Sequence, residues 1–175
     1  KDQVDTEFDY HTHNFHKITI FISGNVQYFI EGKTYTLNPY DIVLVNRNDI
    51  HRIQVDSSIP YERIIVYISP GFMEAYRTTE YNLAYCFEQA REKQSYVLRI
   101  PSLETSSLYK TTQRLERSFH DHEYAGSLYR QILFLEFMIQ LNRATLKEGI
   151  EYLDTKLYNK KVLDIMNYIQ DHLTE

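Results

Sequence analysis

The pattern of apolar and polar positions changes period near residue 101. Before it, apolar residues come in short runs and alternations of the kind that build strands: "KITIFIS" (17–23), "VQYFIEGKTYTL" (26–37), "DIVLV" (41–45), "HRIQV" (51–55) and "RIIVYI" (63–68). Gly24-Asn25 between the first two runs predicts a two-residue hairpin loop, and Glu31-Gly32-Lys33-Thr34 predicts a second tight turn. Pro39, Asn46 to Asp49 and Ser57 to Pro60 punctuate the rest. "YVLRI" (96–100) reads as a late strand returning to the sheet. Short strands at this spacing predict a sandwich or barrel.

From Ser102 the spacing becomes helical. Leu108, Leu115 and Phe119 fall near one helix face. "EYAGS" (123–127) predicts a break, and "SLYRQILFLEFMIQLNRATL" then follows (127–146). In it, Leu128, Ile132, Leu135 and Ile139 make one row, with Leu133, Phe137 and Leu141 on a neighbouring one. A helix apolar on more than one stripe is buried on two sides or packs on a partner. The polar "KEGIEYLDTKLYNK" (147–160) reads as a linker, and "KKVLDIMNYIQDHLTE" (160–175) carries a third helical stripe through Val162, Met166, Ile169 and Leu173.

Composition narrows the function. The 175 residues are 43% hydrophobic, enough to bury a core, but no window resembles a membrane span. The polar, acidic N-terminus shows no secretory signal, and the chain does not begin with Met, so residues upstream are expected. A single cysteine, Cys86, excludes a disulfide framework and a cysteine zinc site and points to the cytoplasm. The net charge of -5, with no block of Lys and Arg, argues against these residues gripping nucleic acid themselves. There is no nucleophilic triad or phosphate loop. The 16 tyrosines, in a chain without tryptophan, suit pockets and interfaces as well as plain core.

The candidate chemistry lies in "DYHTHNFHKITIFISGN" (9–25). Strand alternation and the two predicted turns put Lys17, Thr19, Phe21, Tyr28, Ile30 and Tyr35 on one face. His11 and His13 share its parity if the first strand extends back, and His51 joins from "HRIQV". One face thus gathers His11, His13, Lys17, Tyr28, Tyr35 and His51. His16 has the opposite parity and is expected on the outer face. His120 and His122, at the end of a predicted helix, are expected on the surface. Arg63 and Tyr67 share a parity that leaves open whether they line the pocket.

His11-x-His13, three residues, Lys17, six residues and Gly24 resemble the first cupin motif in spacing, although that motif has a glutamate metal ligand where Lys17 stands. In the second motif's layout, Tyr40, Asn46 and Asn48 occupy the Gly, Pro and Gly positions, and His51 the histidine position. Closer is a resemblance to AraC-type transcription regulators, whose sensor domain is a degenerate cupin. It is carried by "HTHNFHKITIFISGNVQYFIEGKTYTLNPYDIVLVNRNDIHRI", "YERIIVYISPGFMEAY", "FEQAREKQSYVLRIP" and "LYRQILFLEFMIQLNR". The end of the chain, "KKVLDIMNYIQDHLTE", is similar to the first helix of that family's DNA-binding domain.

The resemblance implies an α+β chain: a cupin-like double-stranded β-helix (jelly roll) followed by a helical dimerisation element. It divides the chain into a ligand-sensing barrel (1–101), a dimerisation element (102–147), a linker (148–159) and the start of a truncated helix-turn-helix domain (160–175). It further implies a homodimer, built on Leu128, Ile132, Leu135 and Ile139 or on the neighbouring row of the same helix, and a small-molecule effector, a sugar or an anionic metabolite. DNA would be contacted only through the missing domain. No membrane, cofactor or metal is expected, and no catalysis. The alternative is a metal-dependent cupin enzyme, an isomerase or dioxygenase, with His11, His13 and His51 as ligands. A third reading is a sugar-binding module with no regulatory role. Against metal stands Lys17, whose ammonium would repel a dication. It would instead favour a carboxylate, phosphate or hydroxyl-rich ligand.

Overall fold

The computed structural model describes residues 9–100, 102–146, 151–153 and 155, with 164, 165, 168 and 172 near the C-terminus. Its strands are β1 (His16–Ser23), β2 (Asn25–Ile30), β3 (Lys33–Thr36), β4 (Ile42–Val45), β5 (His51–Asp56), β6 (Glu62–Ile68), β7 (Val97–Arg99) and β8 (Glu151–Tyr152). They form two sheets, one five-stranded in the order β6-β1-β4-β7-β8 and one three-stranded in the order β3-β2-β5, with every pairing antiparallel. The helices are α1 (Pro70–Ala75), α2 (Tyr85–Glu92), α3 (Ser107–Ser118) and α4 (Gly126–Leu146). The result is a mixed α/β chain whose sheets are compatible with a cupin-like β-sandwich.

The expected hairpin at Gly24-Asn25 does not form. β1 pairs with β4 and β6, whereas β2 pairs with β3 and β5, so the chain changes sheets at Gly24. Gly24 has φ +125°, and a Cβ there would lie 3.1 Å from Tyr61 Cα and 3.3 Å from the Pro60 carbonyl oxygen. The glycine serves a corner where two backbones approach, not a two-residue loop. The second turn is as expected. Glu31 (φ 47°) and Gly32 (φ 75°) both adopt positive φ, and the hairpin pairs Ile30 with Lys33 and Tyr28 with Tyr35.

The first hundred residues are not all strand: α1 and α2 fall within them. Ser69 caps α1, its hydroxyl accepting from Phe72 N, with Pro70 in the first turn. Helix α2 buries Cys86, Phe87 and Ala90 at helical spacing. Its entry is held by Asn142 of α4, which accepts from Cys86 N at 2.8 Å and donates to the Leu83 carbonyl at 2.9 Å.

The break between α3 and α4 falls where expected. Helix α4 has two apolar faces: Leu133, Phe137, Met138 and Leu141 are fully buried, whereas Leu128, Ile132 and Ile139 are exposed. Phe119, expected on the α3 stripe with Leu108 and Leu115, lies just past the helix end and is exposed. Strand β7 joins the sheet beside β4 as expected, and β8, inside the polar 147–160 stretch, pairs outside it. The stripe Val162, Met166, Ile169 and Leu173 lies outside the described residues.

Asp41 shows what holds the entry to β4. It is buried, receives two hydrogen bonds from Arg99 at 2.9 and 2.6 Å, and accepts from Asn38 N at 2.7 Å.

Gly24→Ala tests the sheet change. A left-handed φ and a blocked Cβ together should lower unfolding stability by about 2 kcal/mol or more in urea titration. A loss under about 0.5 kcal/mol, the ordinary surface range, would mean that the corner tolerates a side chain.

Candidate functional site

The N-terminal segment reaches the site by an unexpected route. β1 starts at His16 and does not extend back to His11. Instead His11 forms a two-bond bridge with His51: His11 N donates to the His51 carbonyl and His51 N to the His11 carbonyl, each at 3.0 Å. Asn48 N donates to the His13 carbonyl at 3.0 Å. His11 and His13 are therefore laid along the start of β5, while Lys17 approaches from β1 in the opposite sheet.

Four of the six sequence candidates meet here. The His51 ring lies 4.3 Å from that of His11 and 4.7 Å from that of His13. Lys17 Nζ lies 3.1 Å from His51 Nε2. His51 is sealed from solvent, Lys17 and His13 are half-buried, and His11 is exposed. Burial thus grades from a closed floor to an open rim.

Hydrogen bonding sets the tautomers. The Nδ1 atoms of His11, His13 and His51 face the carbonyls of Asp9, Phe15 and Asp49 at 2.9, 2.7 and 3.0 Å. A carbonyl only accepts, so each Nδ1 carries a proton and, in a neutral ring, each Nε2 presents a lone pair. Lys17 donates to the one on His51. The one on His13 is buried and has no hydrogen-bond partner.

The charge pattern follows from burial. Burial, with the Lys17 charge second, pushes the His51 pKa down to about 3 and holds that of His13 below the usual imidazole range. Burial, with Arg63 second, brings Lys17 down to about 8. Burial thus favours the neutral ring at His51 and His13 beside one costly cation.

This donor set does not suit the metal of the cupin layout. No three His, Cys, Asp or Glu among the described residues are placed to hold an ion. The position of the acidic ligand is Lys17, and its amine already occupies the His51 lone pair that a metal would need.

Tyr28 and Tyr35 are elsewhere in the core. The Tyr28 hydroxyl lies 3.0 Å from that of Tyr61, and the Tyr35 hydroxyl accepts from Tyr96 N at 3.0 Å. Both rings are essentially without solvent contact, and each hydroxyl ties one sheet or loop to another. Tyr61 gave no sequence signal because it precedes β6 in a loop. His16 lies on the face opposite Lys17, but Phe87 of α2 covers it, 4.7 Å between ring centres. His120 and His122 are exposed. Lys17 pairs across the sheet with Tyr67, and Phe21 with Arg63, so Arg63 and Tyr67 share the face of Lys17.

Two crevices lie away from this cluster. One of about 850 Å³ runs between β6 and α1, α3 and α4, walled by Val66, Phe72, Leu115, Phe119, Phe134 and Phe137 among others. The other, about 590 Å³, continues past Arg63 and Glu116 to Tyr61 and Tyr109. None of the six candidates lines either. These spaces arise from helix packing on a sheet edge, which strand alternation does not reveal.

The two most strongly shifted of these groups, Lys17 and His51, give a pH profile. Lys17 binds its proton less tightly in the folded state than in the unfolded chain, so its charging opposes folding. That cost is full below about pH 8 and is relieved as pH rises to 10.5. Against Lys17→Met, wild-type stability should gain about 1–3 kcal/mol across that window in urea titrations. On the acid side, His51 favours the folded state above pH 6.5, and this is lost as pH falls toward 3. A stability difference flat through the alkaline window would mean that Lys17 sits in an ordinary solvated setting.

The AraC-like ligand binding domain family matches residues 1–138. Among curated proteins, the HTH-type transcriptional activator RhaS of Enterobacter sp. (strain 638) is 23% identical over 171 residues. The activator of the same name from Salmonella arizonae is 24% identical over the same length. Each alignment covers 96% of this chain and 57% of the relative, so the chain spans a little over half the length of these relatives. With the family matched over β1 to β7 and into α4, the chain belongs to the AraC family through its ligand-binding domain.

Proposed function

We propose that this chain is the ligand-sensing and dimerisation portion of an AraC-type transcription regulator and that it acts in the cytoplasm without catalysing a reaction. The family match over residues 1–138 carries this reading. Strands β1 to β7 would be a jelly-roll barrel (1–101), to which β8 adds an edge from the following segment, and α3 with α4 the dimerisation element (102–147). Residues 148–159 would link to a DNA-binding domain that begins at 160–175. DNA would be reached only through that domain, as suits relatives described as HTH-type activators.

The effector would sit at the rim made by His11, His13, Lys17 and His51, with Tyr28 and Tyr35 supporting the wall behind it. Neutral imidazoles offer acceptors to hydroxyls, and Lys17 offers a cationic donor. That chemistry suits a sugar or another hydroxyl-rich or anionic metabolite. A metal-dependent isomerase or dioxygenase is disfavoured by the Lys17–His51 contact, and no helix among the described residues is long and apolar enough to cross a membrane. Effector binding would act by favouring one of two arrangements with different affinity for it.

The dimer would use the outer row of α4. Leu128, Ile132 and Ile139 are 56%, 53% and 42% exposed, with Leu135 half-buried beside them, an apolar stripe that a soluble monomer would leave in water. A two-fold contact of this row on itself satisfies the commonest oligomer symmetry.

Two measurements test the reading. In a thermal-shift panel of sugars and anionic metabolites, a stabilising effector should lose most of its shift with Lys17→Met. An undiminished shift would move the site away from this rim. In sedimentation equilibrium the chain should dimerise, and Ile132→Glu should weaken association by roughly 100-fold or more. A wild-type chain monomeric at tens of micromolar (roughly the range where weak dimers show) would remove the dimerisation role.

A further inference from the structure

The amine of Lys17 has an unusual setting for a binding residue. Among the described residues it has no carboxylate partner, and its one hydrogen bond goes to a lone pair, His51 Nε2. Because His51 Nδ1 holds its proton against the Asp49 carbonyl, the neutral ring cannot donate back to the amine. A neutral amine that gives one N–H to His51 therefore keeps its own lone pair free, directed away from the ring. Lys17 is only half-buried. Nearby, His13 Nε2 is a buried acceptor without a donor, 4.7 Å separating its ring centre from that of His51.

We propose that Lys17 is a covalent anchor for carbonyl ligands, its amine condensing reversibly with the aldehyde of a small polyhydroxy aldehyde while His13 accepts from a hydroxyl of the same molecule. This rests on the reading of the His11–His13–Lys17–His51 cluster as the effector site and deepens it by naming the ligand class.

The step balances without an oxidant or reductant. The ammonium first gives a proton to solvent, since His51 is far too weak a base to take it. The lone pair of Lys17 attacks the aldehyde carbon, the C–N bond forms, and the carbonyl π pair moves to oxygen. That oxygen leaves as water with one proton from the nitrogen and one from solvent. The product is a protonated imine, whose remaining N–H His51 Nε2 can still accept. The depressed pKa of Lys17, about 8, keeps a useful share of free amine near neutral pH, as in other lysines that form Schiff bases.

The test uses the full chain, D-glyceraldehyde as probe and glycerol as its matched polyol. Incubation with D-glyceraldehyde and sodium cyanoborohydride near pH 8, followed by peptide mapping, should place the dominant reduced adduct on Lys17. It should form roughly tenfold or more faster than adducts on Lys93 and Lys110, two exposed lysines that serve as the internal reference. Lys17→Arg keeps a donor for His51 and should abolish that adduct while Lys93 and Lys110 label as before. The rate comparison within the wild-type chain needs no variant, so a folding defect in Lys17→Arg would not spoil it. Labelling of Lys17 at the rate of Lys93 and Lys110 overturns the proposal. Thermal shifts then separate the two ideas. If glycerol and D-glyceraldehyde stabilise alike while Lys17 labels no faster than the surface, the polar effector site stands and covalent capture falls. If neither stabilises and Lys17 is also unreactive, both fall.

Discussion

The geometry of the site depends on one backbone constraint, the change of sheet at Gly24. Its φ of +125° and the nearby backbone of Pro60 and Tyr61 turn the chain from β1 into a different sheet. Were β1 and β2 a hairpin, Lys17 and the β2 residues would lie side by side in one layer. Because they are not, Lys17 approaches His51 across the gap between layers. The contact at 3.1 Å is a bond between sheets, and it places a cation where strand alternation alone would put an apolar side chain.

That cation defines the chemistry. Three imidazoles have Nδ1 tied to backbone carbonyls, a hydrogen bond that in metal-binding histidines fixes the ring and turns Nε2 toward the ion. Here a lysine amine fills the space beside the deepest of them. Burial disfavours charge on both partners, so near neutral pH the pair is ammonium or amine with neutral imidazole. As the proposed effector site, it would recognise ligands through hydrogen bonds and, at Lys17, through charge or nucleophilicity.

Much of the architecture was legible because it rests on period and turn chemistry. The strands, the hairpin at Glu31-Gly32 and the two-faced helix α4 follow from spacing that any buried element must obey. The hairpin at Gly24 was misread because a glycine beside asparagine signals a tight turn whether the chain folds back on itself or crosses to another sheet. The reading of the second cupin motif has a physical sequel. Tyr40 and Asn48, which stand in its glycine positions, have φ of 71° and 66°. The left-handed backbone is kept while the residues suited to it are lost; Asn tolerates that region, whereas Tyr is strained there. A search for glycines misses this because the fold preserves the conformation and not the side chain. The four rim residues were legible from parity, but by a route the molecule does not take: His11 and His13 arrive by bridging β5. Tyr28 and Tyr35 were grouped with them because parity gives the face and not the depth. The crevices beside β6 depend on helix placement, which no local pattern encodes.

The rim and the helices also share a mechanical frame. His51 Nδ1 donates to the Asp49 carbonyl, and the Asp49 carboxylate, itself buried, pairs with Arg91 of α2 at 2.7 Å. The other end of α2 is held by Asn142 of α4, through Cys86 N and the Leu83 carbonyl. Helix α2 is thus fastened at one end to the loop that orients His51 and at the other to the helix whose outer row is exposed. Its Cys86, Phe87 and Ala90 are fully buried against the core, so it cannot slide without repacking. A displacement of the 46–49 loop on ligand binding would have to be absorbed within the Arg91–Asp49 pair or passed through α2 to Asn142. The first is open because Arg91 is 60% exposed and its guanidinium can follow the carboxylate through water. The second is stiffer, since Asn142 is buried and uses both ends of its amide. If the proposed effector binds at the rim, the exposed Arg91 would absorb small shifts of the 46–49 loop, and larger ones would load α2 and its buried anchor at Asn142.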